Sequence, residues 1–387
     1  MCMMQTARVI STYTADVSGV PSALFELGGM VIMHDASGCN STYNTHDEPR
    51  WYDFDSMVYI SGLSEMEAIM GDDEKLIGDI VSAANELRPQ FIALCGTPIP
   101  MMIGTDFDAV CSVIEKRTGI PTLPVKTNGM NTYVKGASMA FLELAKRFVT
   151  KKDKTQKLSC NILGVTPLDF SVNTSVQSMK NALTERGVEI VSCWAMGDSL
   201  ENIKNSSAAN VNLVVSLCGI EAAEYMKNKF GIPYVVARPT AAAFTDKIAA
   251  DMRLSAQDGI NRITCAGESS NENARVIIIG EGVSSNSLAA ALKLEAGIDC
   301  CVICATDDMG VSLGKRSVTA RDEDELMGLI NDASVIVADP LYKPVCPKGA
   351  GFVPLPHEAF SGRIFRKDIP DTAKDIESVI AQIERIL

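Results

Sequence analysis

Two cysteines of this sequence stand beside glycines, in segments that we interpret as loops. Cys39 lies in "HDASGCNSTY" and Cys95 in "ALCGTPIP", and each segment follows an apolar run that is typical of a buried strand. A glycine neighbour lets the backbone approach a bound group closely. Thiolates in such loops can bind an iron–sulfur cluster, and a [4Fe–4S] cluster usually takes four of them. Two thiols of one chain then need two more from elsewhere; the alternative is two unrelated free thiols.

The elements that position these cysteines alternate between strand and helix along the 387 residues. Short apolar runs such as "FIALCG", "CNILGV" and "ARVIIIGEG" are separated by helical patterns, which indicates parallel sheets covered on both faces. We predict an α/β fold of three Rossmann-like units with parallel sheets, over residues 1–150, 158–268 and 269–387. A closing amphipathic helix ends the third unit, and the charged residues 150–157 form a linker.

Ligands of open parallel sheets gather at the carboxyl ends of the strands, and this rule ranks the 12 cysteines. Cys39, Cys95 and Cys218 lie at or just beyond the end of a predicted strand. The Cys-x-x-Cys of "CCVIC" lies within a strand, and we expect it to be core, because redox dithiols normally open a helix. Most of the remaining thiols are expected to be small buried hydrophobes.

The composition excludes some classes of partner. The formal net charge is −13 and the pI is about 4.8, so a nucleic-acid backbone would be repelled. An acidic surface suits a partner protein with a basic face. Residues 1–10 do not resemble a secretory leader, and no apolar stretch reaches the roughly 20 residues of a membrane-spanning helix. We therefore expect a cytoplasmic protein that does not bind membranes, in a compartment where stable disulfides are rare.

Three segments resemble nitrogenase component 1 proteins, in the same order as in that family. They are "HDASGCNSTYNTHDEPRW", "GLSEMEAIMGDDEKL" and "LCGTPIPMMIGTDFDAVCSVIEKRTGIPTLPV", and the resemblance extends over nearly the whole chain. It implies a component 1-like architecture with an iron–sulfur cluster, [4Fe–4S] or larger, held by Cys39 and Cys95 at a subunit interface. The family often has another cysteine about two dozen residues before Cys39, and this chain has none there. A homodimer, or a dimer with a related component 1 subunit, would complete the ligand set.

A second part of the resemblance concerns the active-site cofactor of the family. "VNLVVSLCGIEAAEYMKNKFGIPYV" and "FVPLPHEAFSGRIF" resemble the segments that bind its two ends. The resemblance implies that Cys218 and His357 ligate a second metallocluster, and a thiolate with an imidazole is a sensible ligand pair for iron. Arg238, after the strand "PYVVAR", could offset the charge of an anionic cluster there.

The resemblance predicts a nitrogenase-like reductase subunit. It would receive low-potential electrons from an ATP-dependent iron protein and pass them through the interfacial cluster to a buried metallocluster or small-molecule substrate. Three alternatives stay open: a tetrapyrrole reductase of the same family, a non-catalytic scaffold for cofactor assembly, and an NAD-dependent α/β dehydrogenase. The last would use the glycine loop at Gly280–Ser285, which opens a helix after a strand as dinucleotide sites do.

Overall fold

The computed structural model describes residues 8–12, 15–36, 48–51, 53–266 and 275–387. Cys39 lies outside the described residues. These residues form three separate sheets, and every strand pair in them is parallel, which confirms the predicted fold class. The strands of each sheet fall within one of the three predicted units, while the boundaries of those units stay a prediction.

The first unit is a parallel sheet with helices on both faces. Its elements are α1 (Asp16–Leu24), β1 (Gly29–His34), β2 (Met57–Ile60), α2 (Glu65–Met70), α3 (Glu74–Leu87), β3 (Phe91–Gly96), α4 (Pro98–Ile103), α5 (Phe107–Thr118), β4 (Thr122–Val125) and α6 (Tyr133–Phe148). The strand order is β2-β1-β3-β4. A capping box between Ser64 and Glu67 begins α2, and Gly71, with a φ of 65°, ends it.

The second unit repeats this arrangement. Its elements are β5 (Ser159–Val165), α7 (Pro167–Phe170), α8 (Ser175–Glu185), β6 (Glu189–Ala195), α9 (Leu200–Lys204), β7 (Val211–Val214), α10 (Ile220–Phe230), β8 (Tyr234–Val236) and α11 (Ala242–Asp258). The strand order is β6-β5-β7-β8. The strand β7 ends before Cys218, which lies in a 3₁₀ turn over Leu217–Gly219.

The third unit carries five strands. Its elements are β9 (Val276–Gly280), α12 (Gly282–Ala296), β10 (Cys300–Cys304), β11 (Ser317–Thr319), α13 (Glu323–Leu329), β12 (Val335–Ala338), β13 (Gly351–Pro354), α14 (Glu358–Ser361) and α15 (Glu377–Ile386). The strand order is β11-β10-β9-β12-β13. The "CCVIC" segment forms β10, in which Cys300 and Cys304 are buried, as expected for core residues, and Cys301 is half-buried.

The order of the strands fixes where ligands can bind. In each sheet, the chain continues to opposite sides from two neighbouring strands: β1 and β3, β5 and β7, and β9 and β12. Crevices open at the carboxyl ends of such strand pairs, because the following loops diverge. One apolar core continues through all three units, so these crevices belong to one body.

Two glycines permit the close crossing of α1 and α6. A Cβ on Gly19 would lie 2.0 Å from the carbonyl oxygen of Tyr133, and a Cβ on Gly136 would lie 1.7 Å from that of Asp16. Both clashes are with backbone atoms, which cannot rotate away. Only glycine therefore allows these two helices to approach to this distance.

We expect Gly136→Ala to lower the free energy of unfolding by about 2 kcal/mol or more, because α1 and α6 must separate. Gly78→Ala is the matched control: it lies inside α3 with nothing within 4 Å of the added methyl, and it should raise stability by about 0.5–1 kcal/mol. Urea unfolding of both variants measures the difference. Equal stability of the two would show that the crossing is not tight.

Candidate functional site

A buried polar cluster lies where the second and third sheets end. Asp169 follows β5 and Cys218 follows β7, the two strands at the switch point of the second sheet. Glu281 follows β9 of the third sheet, and His357 precedes α14. The structure thus brings together Cys218 and His357, which the sequence places far apart, and adds two carboxylates between and beside them.

The carboxylate of Asp169 is the centre of this cluster and is only 4% exposed. The hydroxyl of Tyr133 donates to its Oδ1 at 2.6 Å, and the hydroxyl of Thr166 donates to Oδ2 at 3.1 Å. The thiol of Cys218 points at Oδ2 from 3.9 Å. The Nε2 of His357 lies 3.4 Å from Oδ1. Donors from four segments therefore surround one buried acid.

These contacts decide the charge of the cluster. Burial alone would raise the pKa of Asp169, but the interaction with His357 and the hydroxyl bonds outweigh it, so the pKa lies below its ordinary value. Burial, followed by the charge of Asp169, raises the pKa of the Cys218 thiol well above its ordinary range. The same two causes raise the pKa of Tyr133. Asp169 is thus the anion, and its neighbours keep their protons.

His357 has a fixed orientation. Its Nδ1 accepts a hydrogen bond from the backbone N–H of Ala359 at 3.3 Å and so caps α14. A neutral imidazole that accepts at Nδ1 carries its proton on Nε2. That N–H lies 3.4 Å from Oδ1 of Asp169. The residue also lines a cavity of about 60 Å³, together with Arg238, Glu281, Ser284, Leu288 and Thr372 among others. His357 is therefore oriented as a donor toward Asp169 at the edge of this cavity.

Glu281 occupies the position that a phosphate would take in a dinucleotide site. Its carboxylate caps α12 by accepting from the N–H groups of Val283 and Ser284, and it also accepts from Leu217 N at 2.9 Å. Burial and then the charge of Asp169 raise the pKa of Glu281. The helix N-terminus is already filled by this side chain, so the geometry opposes nucleotide binding at Gly280–Ser285.

The placement of Cys218 and His357 does not suit a large cluster held between them. The side chain of Asp169 lies between the two residues, the thiol keeps its proton, and Nδ1 of His357 is used by α14. Among the described residues, no three His, Cys, Asp or Glu side chains are arranged to hold a metal ion. Ligation of a second metallocluster by these two residues stays a prediction.

Cys95 lies at the C-terminal end of β3, the strand that the sequence predicts over Phe91–Gly96, and not in the loop that follows it. It is 0% exposed, and its Sγ lies 3.5 Å from the carbonyl oxygen of Ile32. Its side chain belongs to the apolar core. Burial, reinforced by the charge of Asp16, raises the pKa of this thiol well above its ordinary value. In this position Cys95 does not fit a cluster ligand.

An exposed apolar surface lies beside the first switch point. It is formed by Met66, Ile69 and Met70 of α2 and by Met101 and Met102 of α4, with exposed fractions between 46% and 80%. The two helices touch each other, and α4 follows directly after β3. We call these five residues the methionine surface. Exposed apolar patches of this kind mark interaction sites, and methionine adapts easily to a partner.

Sequence reasoning missed Asp169, Tyr133 and Glu281. Asp169 had a usable signal, because it follows a buried strand by a few residues in "CNILGVTPLD", where ligands of parallel sheets gather. Glu281 was read only as part of a glycine loop. Tyr133 belongs to the first unit, and nothing local to it indicates a contact with the second unit.

The comparisons with known proteins agree with the resemblance. The family profile described as Nitrogenase component 1 type Oxidoreductase matches residues 23–332. The chain is 31% identical over 183 residues to the nitrogenase iron-molybdenum cofactor biosynthesis protein NifE of Clostridium pasteurianum, over 46% of this chain and 38% of that protein. It is 26% identical over 210 residues to one of the subunits of the light-independent protochlorophyllide reductase of Tetradesmus obliquus, over 50% and 40%.

The fold is shared over a longer range. The solved structure of nitrogenase Cp1 at pH 5 superposes with a TM-score of 0.64 at 17% identity, covering 99% of this chain and 89% of that one. The sequence matches to the curated relatives, in contrast, span about half of this chain and well under half of those proteins. No helix in the described part of the chain has the length and apolarity needed to cross a membrane.

The cluster around Asp169 can be tested by removing one hydroxyl. We expect Tyr133→Phe to lower the free energy of unfolding by about 1.5–3 kcal/mol, since it deletes a buried bond to a charged acceptor. Tyr225→Phe is the control, because that half-buried tyrosine contacts Phe230 by its ring, and it should change stability by less than about 0.5 kcal/mol. Chemical denaturation of both variants gives the values. A neutral Tyr133→Phe would mean that Asp169 does not depend on this donor.

Proposed function

Because the chain belongs to the nitrogenase component 1 type oxidoreductase family, we propose that it is a nitrogenase-like reductase subunit. It receives low-potential electrons from an ATP-dependent iron protein and delivers them to a substrate held in the cleft beside Asp169. The observation that carries the proposal is the convergence of Cys218 and His357 on this one buried carboxylate.

The chemistry of the cleft favours reduction of a bound molecule over a second metallocluster. Reduction adds electrons and then protons; His357 lines the cavity, and the thiol of Cys218 lies behind it, 3.9 Å from Oδ2 of Asp169. Buried donors of this kind stabilise developing negative charge, because no water competes with them. The cavity of about 60 Å³ suits a small ligand, and a tetrapyrrole macrocycle would require the cleft to open.

The methionine surface is the docking face in this proposal. It lies on α2 and α4, next to the carboxyl ends of β1 and β3, and the segment that contains Cys39 follows β1 in the sequence. An iron–sulfur cluster at this edge, shared with a second copy or a related subunit, stays a prediction that depends on Cys39. Electrons delivered here would enter the first unit and reach the cleft on its far side.

We expect Met102→Glu to weaken the MgATP-dependent binding of a nitrogenase-type iron protein about tenfold or more, because it places a charge in the centre of an apolar contact. Met102 is 80% exposed, so the fold should be unaffected. Ile260→Glu is the matched control, with an exposure of 58% in the second unit. Anaerobic interferometry measures both affinities, and equal affinities would place the docking face elsewhere.

Iron and sulfide analysis with EPR, after anaerobic reconstitution, tests the cluster. We expect Cys39→Ala to lose the iron, whereas Cys95→Ala should retain it, because the thiol of Cys95 lies in the core. Cys111→Ala, a second buried thiol of the first unit, is the control. Loss of iron in Cys95→Ala but not in Cys111→Ala would show that Cys95 does reach a cluster. A wild-type chain without iron would remove the cluster from the proposal.

The similarity to NifE supports a second candidate function, a scaffold that carries a metallocluster for assembly. The same iron analysis separates the two functions. A reductase with an organic substrate predicts that Cys218→Ala keeps the iron content of the wild type. A scaffold predicts additional iron that is lost in Cys218→Ala, with Asp169 displaced from between the two ligands.

A further inference from the structure

A wide groove lies at the amino-terminal end of the third sheet. It has a volume of about 1360 Å³ and is bounded by residues that precede β9, β11, β12 and β13 and by the end of α15. The cleft beside Asp169 lies at the opposite, carboxyl end of this sheet, where Glu281 follows β9. A strand of the length of β9 spans roughly 15 Å, so the groove and the cleft are separate sites.

The wall of the groove is largely apolar. Ile277 and Ile303 of the sheet line it and are themselves buried. The apolar side chains at its margin, in contrast, keep exposed fractions between 38% and 66%, and they are Val318, Leu329, Ile386 and Leu387. Exposed apolar side chains that are grouped in one concave surface indicate a binding site.

Two exposed cations lie at one edge of the groove. Arg275 comes directly before β9 and Lys315 shortly before β11, and both side chains line the groove. Only β10 separates β9 from β11, so the backbones of the two residues lie roughly 10 Å apart. Two long side chains can close this distance around one anion. Among the described residues, no carboxylate forms an ion pair with either of them.

The charge of the groove is opposite to that of the whole chain. Arg316 adds a third positive charge beneath the surface, since it is buried and its Nη2 donates to two backbone carbonyl oxygens instead of an acid. Asp332 is the one acidic side chain that the described residues contribute to the groove wall, and Asp299 at the same edge of the sheet is paired with Lys293. Three cations beside one acid, in a chain with a net charge of −13, favour a negatively charged ligand.

We propose that this groove binds a small molecule that has an apolar body and a negatively charged group. The apolar body packs against the sheet and the marginal side chains, and the charged group lies between Arg275 and Lys315. Both cations are exposed, so the ligand reaches them without a rearrangement of the fold. Because the groove lies at the other end of the sheet from the cleft, the proposal is independent of the function proposed for the cleft.

Anilinonaphthalene sulfonate is a suitable probe, because it joins aromatic rings to one sulfonate and fluoresces when the rings leave water. Phenylnaphthylamine has the same rings without the sulfonate. Fluorescence titration of the full chain with each compound measures the contribution of the charge. We expect saturable binding of the sulfonate, about fivefold or more tighter than binding of the neutral compound. The double variant Arg275→Glu, Lys315→Glu should lose this difference.

Two control variants show where the probe binds. Lys116→Glu with Lys151→Glu makes the same change in net charge at exposed positions outside the third unit, and both affinities should stay at their wild-type values. Met102→Glu tests the methionine surface as an alternative site for the rings, and it should also have no effect.

Val318→Gln should weaken the binding of both compounds, because it removes apolar contact from the groove. The substituted side chains are exposed, so each variant should unfold at the wild-type temperature. Equal affinity of the two compounds for the wild-type chain would overturn the proposal. An equal loss in the Lys116→Glu, Lys151→Glu control, or a loss of binding in Met102→Glu, would overturn it as well.

Discussion

The negative charge of Asp169 constrains the arrangement of all three units. A carboxylate that is 4% exposed is stable only where donors or positive charge replace the water that it has lost. Here they come from every unit: Tyr133 from the first, Cys218 from the second and His357 from the third. Moving any unit by a few ångströms would leave a buried charge without part of its compensation. The polar contacts of Asp169 thus fix the relative position of the three units. The continuous apolar core stabilises their association but does not by itself select this position.

Glu281 limits what this cluster can bind. It is a buried carboxylate like Asp169. Burial and the charge of Asp169 together raise the pKa of Glu281, so the cluster holds one negative charge more easily than two. A thiolate at Cys218 would add a further charge, and burial first, then the charge of Asp169, raises the pKa of that thiol. The family resemblance predicted metal ligation from the same two positions, Cys218 and His357. In this structure both residues are directed at the carboxylate of Asp169, and ligation of a cluster by them stays a prediction.

The sequence predicted the architecture because each strand is an apolar run of ordinary length between turn signals, and this pattern depends only on neighbours along the chain. It did not predict the side on which Cys95 lies. Within β3, Cys95 pairs with Met33 on one side and Val125 on the other, and its side chain lies with theirs in the apolar core. The meeting of Cys218 and His357 followed from the resemblance alone. The contact of Tyr133 with Asp169 joins two units, and a sequence pattern within either unit does not predict such a contact.

The crossing of α1 and α6 connects the fold to the chemistry of the site. Gly136 lies less than one turn after Tyr133, and its contact with the backbone of Asp16 leaves α6 no freedom to slide. The hydroxyl of Tyr133 is therefore fixed at 2.6 Å from Asp169. A ligand that gains electrons in the cleft becomes more negative, and fixed donors stabilise that charge without having to reorient.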